Sequence, residues 1–307
     1  MIDVQNLSKT YGTFAAVDRL SFKAEAGEVV GLLGPNGAGK TTTMRMLTGF
    51  MPPSAGSARI AGYDILNDSL EVRRRVGYLP ERVPVYPDMT VQGYIQFWAN
   101  LRGVRDARRQ TERVLESVHL LERRKTLIRN LSKGMRQRLG LAQALVHDPP
   151  VVILDEPTIG IDPQQVIEVR QSVRALGEKH TVLFSTHILS EAEQVCDRVI
   201  IINHGRILAQ GTPATLRQQL QPGDHLYVQI SGASSAAGQR LLAEIEGVQQ
   251  VQPQGIGFHV RAAVRANLRG DIAQRVVQAG YQLEELRPVA MTLEDIFLDL
   301  LGREEGA

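Results

Sequence analysis

Gly34-Pro35-Asn36-Gly37-Ala38-Gly39-Lys40-Thr41 decides the fold class of this chain. Two glycines separated by four residues and followed by Lys and a hydroxyl residue form the phosphate-binding loop pattern. Gly34, Gly37 and Gly39 tolerate φ > 0 and carry no side chain, so successive backbone N–H groups can turn inward as an anion nest. Lys40 is placed to reach β- and γ-phosphates as a point charge, and the Thr41 hydroxyl to sit on Mg²⁺. The flanks agree, since Val29-Val30-Gly31-Leu32-Leu33 reads as a buried strand and Thr42 to Leu47 as the first turns of a helix halted by Gly49. The helix N-terminus then faces the phosphates.

Length and composition bound the rest. A chain of 307 residues is long for one compact domain and points to two. With 35 basic against 33 acidic residues, the net charge of +2 gives no indication of a nucleic-acid partner. No run of about 18 apolar residues and no signal-peptide pattern at Met1-Ile2-Asp3 occurs, so the reading is of a chain that neither spans a membrane nor is exported by that route. The single cysteine, Cys196, excludes an internal disulfide and reads as a small buried residue in a reducing compartment. The seven histidines lack metal-ligand spacing, which leaves Mg²⁺ held with a nucleotide as the expected metal.

Ile2-Asp3-Val4 alternates like an edge strand, and Leu20-Ser21-Phe22 like a second strand leading into the loop. Between them, Tyr11 reads either as a ring that stacks on a purine or as a half-buried turn tyrosine. Arg73-Arg74-Arg75 reads as a solvated helix face before the short strand Val76 to Leu79. Glu81 ends that strand within possible reach of Mg²⁺ or an attacking water. Aromatic and apolar residues from Val83 to Trp98 read partly as the core of a helical subdomain and partly as a contact surface, with Val83 to Met89 the surface segment. Arg105 to Asn130 reads as amphipathic helix with Val114, Val118 and Leu121 on one face. Ser132 caps the next helix, which turns Met135, Leu139, Ala142 and Leu145 inward; its free N–H groups offer a second anion site.

Val151-Val152-Ile153-Leu154-Asp155-Glu156 is an apolar strand ending in two carboxylates, the signature of the carboxyl edge of a parallel sheet. Asp155 is read as holding the Mg²⁺ water shell and Glu156 as accepting a proton from water attacking the γ-phosphate. A helix follows from Gln164 to Leu176. Thr181 to Ser185 is another apolar strand, and His187 just beyond it is placed to hydrogen-bond the γ-phosphate and the water. Val199 to Leu208 reads as a hairpin and Thr212-Pro213 as a helix start. Gln221-Pro222-Gly223-Asp224 reads as a linker. Beyond it come strand Leu226 to Ile230, helix Ala237 to Ile245, strands Val248 to Val251 and Gly257 to Val260, helix Asn267 to Ala279, strand Tyr281 to Leu286 and helix Thr292 to Leu301, a small α+β domain. This tail shows no aromatic-basic interleaving, so nucleic-acid binding is disfavoured.

These stretches together resemble the ATP-binding subunits of ABC transporters over about residues 1 to 215. Gly34 to Thr41 looks like the Walker A loop, Leu131-Ser132-Lys133-Gly134-Met135 like the LSGGQ signature and Val151 to Glu156 like Walker B. Ile159-Gly160-Ile161-Asp162 looks like the D-loop, His187 like the switch histidine, Tyr11 like the aromatic A-loop residue and Glu81 like the Q-loop residue. The Gly-Tyr-Leu-Pro-Glu form and the tail Thr292-Leu293-Glu294-Asp295-Ile296-Phe297 resemble the ABC-2 type exporter branch. Glu81 departs from the usual Gln, and Lys133 and Met135 from Gly and Gln, while Ser132 and Gly134 remain; Lys133 is read as able to strengthen the phosphate contacts.

The resemblance implies an α/β P-loop NTPase of the ABC type over 1–219, with an N-terminal antiparallel β subdomain and a helical subdomain near 82–147, and an accessory α+β domain at 224–307. It implies ATP and Mg²⁺ as ligands, with Glu156, His187 and Lys40 catalytic. Nucleotide contacts fall to Tyr11, Gly34, Pro35, Asn36, Gly37, Ala38, Gly39, Lys40, Thr41, Thr42, Glu81, Ser132, Gly134 and Asp162, and metal contacts to Thr41, Asp155 and Glu81. It further implies a head-to-tail homodimer that drives a separate integral-membrane permease from the inner face of the cell membrane, in the direction of export. A soluble ABC-type ATPase and a regulatory ATP-binding module are the competing classes.

Overall fold

A computed structural model of the chain describes residues 1–220, 224–263, 268–289, 293, 294, 296 and 297. Met1–Pro213 and Ala214–Ala307 form two compact units. The first opens with β1 (Ile2–Tyr11), β2 (Phe14–Ala24) and β3 (Val29–Leu33), and the phosphate loop leads from β3 into α1 (Lys40–Leu47). β4 (Ala55–Ile60), β5 (Tyr63–Asp64), α2 (Ser69–Arg75) and β6 (Val76–Leu79) follow. After the helices α3 (Val91–Leu101), α4 (Ala107–Ser117) and α5 (Lys133–Leu145), the chain runs through β7 (Val151–Asp155), α6 (Pro163–Leu176), β8 (Thr181–Thr186), α7 (Leu189–Val195), β9 (Arg198–Asn203) and β10 (Arg206–Gly211); α8 (Pro213–Leu220) belongs, from Ala214 on, to the second unit.

Two sheets divide the strands of this unit. One is antiparallel in the order β2-β1-β4-β5; the other runs β10-β9-β3-β8-β7-β6 and is parallel except for the edge hairpin β9–β10. The inner strands β3, β7 and β8 are buried along their whole length. This is why they read as continuous apolar runs, as strands covered on both faces do. Met44, Met46 and Leu47 of α1 pack in one core with Ile2, Val4 and Leu7 of β1 and Leu32, Ile153 and Ile200 of the parallel sheet.

The helices from α3 to α5 bury one stripe each. In α3 the buried positions are Val91, Tyr94, Ile95 and Ala99, spaced for one helical face, and the Thr90 hydroxyl caps the helix by accepting from Gly93 N–H at 3.0 Å. Tyr86, Phe97 and Leu101 stay exposed around that stripe, with Tyr86 and Phe97 edge to face at 6.0 Å. The segment therefore contributes both core and surface, as its composition suggests.

Several expectations are corrected. β1 is not an edge strand, because β4 pairs along its other side; its exposed residues, Gln5, Asn6, Thr10 and Tyr11, come in adjacent pairs rather than in strict alternation. The helix expected over Arg105 to Asn130 stops at Ser117, where His119 takes φ 55°, and continues as short 3₁₀ turns at Leu121–Arg123 and Ile128–Asn130. Val118 is buried but Leu121 is only half-buried. Of the three arginines, Arg73 and Arg74 are exposed as read, and Arg75 is partly covered: its guanidinium lies 3.9 Å from the centre of the Tyr63 ring and pairs with Glu71. Met135 is half-buried, whereas Leu139, Ala142 and Leu145 do point inward. Cys196 is buried, and burial pushes its thiol up, out of the reactive range.

The second unit runs β11 (Asp224–Ser231), α9 (Ser235–Ala243), β12 (Val248–Gln254), β13 (Gly257–Ala262), α10 (Leu268–Gln278) and β14 (Gln282–Pro288). Its sheet order β12-β13-β11-β14, antiparallel throughout, is the split βαβ arrangement in which each helix crosses between strands separated by a third. Val228, Phe258 and Val260 from the sheet pack with Leu242, Ile272 and Val276 from the helices. The linker residues Gln221, Pro222 and Gly223 lie outside the described residues. So does most of the helix expected from Thr292 to Leu301, of which Leu293 and Ile296 are described and buried.

Candidate active site

Three neighbouring parallel strands bring the site together. β3, β8 and β7 lie side by side in register, with Leu33 opposite Thr186 and Asp155 opposite Ser185. The phosphate loop, the pair Asp155-Glu156 and His187 therefore leave the sheet at one carboxyl edge, the place where open α/β sheets bind ligands. The loop is held close to its surroundings. A Cβ on Gly34 would lie 2.3 Å from the carbonyl oxygen of Ile202, and one on Gly39, at φ 103°, 2.6 Å from that of Ala16. The turn of the β9–β10 hairpin braces the loop from outside, with Gly205 N–H donating to Ala38 O at 3.0 Å.

Lys40 is buried and donates to the carbonyl oxygens of Gly34 (2.8 Å) and Pro35 (3.2 Å). Its Nζ also lies 3.2 Å from Glu156 Oε1, and both side chains are 6 % exposed. That contact is at ion-pair distance but lacks hydrogen-bond alignment, which leaves Oε1 without a donor. Glu156 Oε2 lies 2.8 Å from His187 Nδ1, and an ionised carboxylate there accepts the Nδ1 proton; Nε2 then accepts from water when the ring is neutral and donates to phosphate when it is charged. Glu156 has φ 48° ahead of Pro157. A non-glycine residue held in the left-handed region turns its side chain out of the strand direction, and such strain collects at working sites.

Asp155 is fully buried. Ser185 Oγ donates to its Oδ1 at 2.7 Å and accepts from Glu156 N–H at 3.0 Å, while Oδ2 has no partner. Burial pushes the Asp155 carboxyl above its ordinary value; the Ser185 and Thr41 hydroxyls pull it down, and the charges of Glu156 and Glu81 push it up again. A carboxyl raised in the folded state contributes stability at low pH that is lost as pH rises through the folded value. At neutral pH the ionised group therefore opposes folding. Asp155→Asn is expected to raise the melting temperature of the ligand-free protein at pH 7 and to leave it nearly unchanged near pH 3, while weakening magnesium-dependent ATP turnover; thermal scans at the two pH values check this.

A hard divalent cation fits these donors. The buried, unpartnered Asp155 Oδ2, the Thr41 hydroxyl close to it and the nearby Glu81 carboxylate are all oxygen ligands. Among the described residues no three His, Cys, Asp or Glu side chains cluster to hold a metal by themselves. The remaining ligands of such a cation would come from phosphate and water, as is usual for Mg²⁺ at a nucleotide.

A cavity of about 510 Å³ lies over the loop and is lined by Tyr11, Pro35 to Thr42, Glu81 and Glu156, together with Phe14, Ala16 and Ile159. The first set contains residues expected from the sequence. Phe14, Ala16 and Ile159 were not expected in it; the signal for Phe14 is its position directly opposite Tyr11 across the β1–β2 hairpin. Gly34, Asp155, His187, Ser132, Gly134 and Asp162 are not part of this lining; Gly34 and Asp155 adjoin lining residues in sequence and His187 is bonded to Glu156, whereas Ser132, Gly134 and Asp162 have no such link to it. Ser132 and Asp162 cap α5 and α6 by accepting from Met135 N–H (3.2 Å) and Gln165 N–H (3.0 Å). A Cβ on Gly134 would lie 1.4 Å from Gln165 Oε1, and one on Gly160 2.0 Å from Lys133 Nζ, so the starts of α5 and α6 pack against each other.

A glycine-rich loop between a central strand and a helix, beside buried carboxylates on neighbouring strand ends, defines a P-loop nucleoside triphosphatase. Residues 17–159 match the ABC transporter family. The linearmycin resistance ATP-binding protein LnrL of Bacillus subtilis (strain 168) is 33 % identical over 99 % of this chain and 99 % of its own length. A Nod factor export ATP-binding protein I from Ralstonia nicotianae is 36 % identical over 99 % of this chain and 94 % of its own. A solved structure of the ATP-binding subunit of an ABC transporter superposes with a TM-score of 0.66 at 32 % identity, covering 71 % of this chain and 92 % of that one. The chain belongs to the ABC transporter family, in its ABC-2 exporter-type branch, as an ATP-binding subunit with ATP hydrolase activity.

Proposed function

We propose that this subunit forms a homodimer around two ATP molecules and powers export through a separate integral-membrane permease, from the cytoplasmic face of the membrane. The observation that carries the reading is the division of the site. The loop, Glu156 and the Tyr11 ring share one cavity, whereas Ser132, Gly134 and Asp162 stand outside it. A second copy in head-to-tail contact supplies the missing anion site from its own α5 start, where Ser132 and free N–H groups face a phosphate. One chain carries every part, so both sites of the dimer are equivalent. Among the described residues no helix is long and apolar enough to cross a membrane; in this reading the transport path belongs to another chain. The exposed Tyr86, Phe97 and Leu101 offer an apolar surface to it.

In this mechanism the loop N–H groups and Lys40 hold the phosphates, and the Tyr11 ring covers the base. Mg²⁺, when bound by Thr41 and Asp155 with Glu81 nearby, neutralises charge on the phosphates. Glu156 takes a proton from the attacking water and His187 orients that water and the γ-phosphate. The domain extents, 1–219 for the ATPase and 224–307 for the accessory domain, belong to the same reading, with the accessory domain stabilising the dimer. The test is co-expression. Membranes should retain the subunit only when an ABC-2 type permease is present, and the retained complex should hydrolyse magnesium ATP faster than the free subunit. Retention without a permease, or a permease with no effect on either property, counts against the transport assignment.

A further inference from the structure

We infer that Glu191 is a positioning residue for hydrolysis, holding Glu156 and His187 at their working separation; the inference rests on the catalytic roles proposed above. Glu191 lies on α7 and its side chain is 1 % exposed. Its Oε2 accepts from the hydroxyls of Thr158 (2.7 Å) and Thr186 (3.1 Å), and its Oε1 pairs with Arg170 of α6 at 3.2 Å. Each hydroxyl belongs to one of the two segments that carry the catalytic pair. Thr158 sits inside the turn closed by Ile159 N–H on Glu156 O at 3.1 Å. Thr186 immediately precedes His187, and its Oγ1 accepts from Ile188 N–H at 3.0 Å, so the backbone on both sides of the histidine is fixed to it. One carboxylate oxygen thus ties together the two turns whose side chains meet at 2.8 Å. A buried charge bonded at both oxygens is rigid, and a rigid support holds a catalytic geometry that loops alone do not.

The charge and the two acceptors matter separately. In Glu191→Gln, an amide oxygen turned to the hydroxyls places NH₂ against Arg170, and the opposite orientation places NH₂ where Thr158 and Thr186 donate; either way one arm of the clamp is mismatched. Thr158→Val removes one arm at nearly constant volume, whereas Thr158→Ser retains the hydroxyl. None of these positions lines the phosphate cavity.

The experiment measures turnover and ATP binding, the latter with a fluorescent ATP analogue, for wild type, Glu191→Gln, Thr158→Val, Thr158→Ser and His187→Ala. Turnover is expected to fall about tenfold in Glu191→Gln and about threefold or more in Thr158→Val, with affinity changed less than about twofold and Thr158→Ser close to wild type, the pattern of a lost transition-state interaction. Parallel losses of affinity and turnover, Thr158→Ser as impaired as Thr158→Val, or wild-type turnover in Glu191→Gln would each overturn the inference. Should Glu191→Gln fail to fold, the Thr158 pair decides alone. Full turnover in His187→Ala would instead remove the catalytic role proposed for the histidine, which keeps the two failures apart.

Discussion

Glu156→Gln is expected to lower steady-state ATP turnover by about 10²- to 10⁴-fold, the range spanned by loss of a general base, while ATP binding is retained. The side chain is buried, and its Oε2 accepts from His187 Nδ1. A glutamine of the same size can keep that bond through its amide oxygen, so the local packing survives. What disappears is the ability to take a proton from water. Binding should be preserved or improved for a separate reason. Glu156 Oε1 lies 3.2 Å from Lys40 Nζ and competes with phosphate for the same ammonium; a neutral side chain ends the competition. With hydrolysis blocked, the ATP-closed dimer should accumulate. Light scattering on wild type and variant with magnesium ATP should show dimer only in the variant at long times. Equal loss of binding and turnover would remove Glu156 from the role of base.

The parts of the fold and site that were legible in the sequence are those whose chemistry is local. The phosphate loop, the strand Val151 to Asp155 with its two acids, and His187 each announce themselves through residue type and a flanking apolar run. Their adjacency follows from the parallel order β3-β8-β7. The second unit was legible as α+β, but its strand order is set by pairings over long separations, such as Leu226 with Val260, that no local pattern carries. For the same reason β1 reads as an edge in the sequence: its second partner, β4, lies beyond the phosphate loop and α1, with Ile2 opposite Ile60 and Ser8 opposite Ala55. The end of α4 turns on the backbone conformation of His119, a residue with no strong turn preference. Glu191 shows the limit most clearly. In Leu189 to Val195 it is one of two glutamates and looks like any solvated charge; only the approach of Thr158, Thr186 and Arg170 makes it a buried one.

Lys40→Met is expected to abolish ATP binding at working concentrations and also to destabilise the protein without nucleotide, for two distinct reasons. The binding loss follows from removing a buried, oriented charge from the phosphates, worth about 2–5 kcal/mol, or a weakening of roughly 30- to several thousand-fold. The stability loss arises inside the chain. Among the described residues Lys40 is the only cation paired with Glu156 Oε1, the oxygen that has no hydrogen-bond donor. Its removal leaves that buried carboxylate without its cation and the Gly34 carbonyl oxygen without its lysine donor, whereas Pro35 O keeps the N–H of Ala38 at 3.2 Å. Breaking a buried ion pair from one side costs up to about 3–5 kcal/mol, and water entry through the loop cavity would bring the value below that. Adding Glu156→Gln to Lys40→Met removes the stranded charge, so the double variant should be more stable than Lys40→Met alone, with a non-additive coupling of about 1 kcal/mol or more. Urea unfolding of wild type, both single variants and the double variant closes the cycle. Strictly additive effects would mean that the two side chains, though 3.2 Å apart, do not share their energetics. A positive coupling would identify Lys40 as a structural counter-ion that phosphate must compete for, and would explain on physical grounds why Glu156→Gln can bind ATP at least as tightly as the wild type.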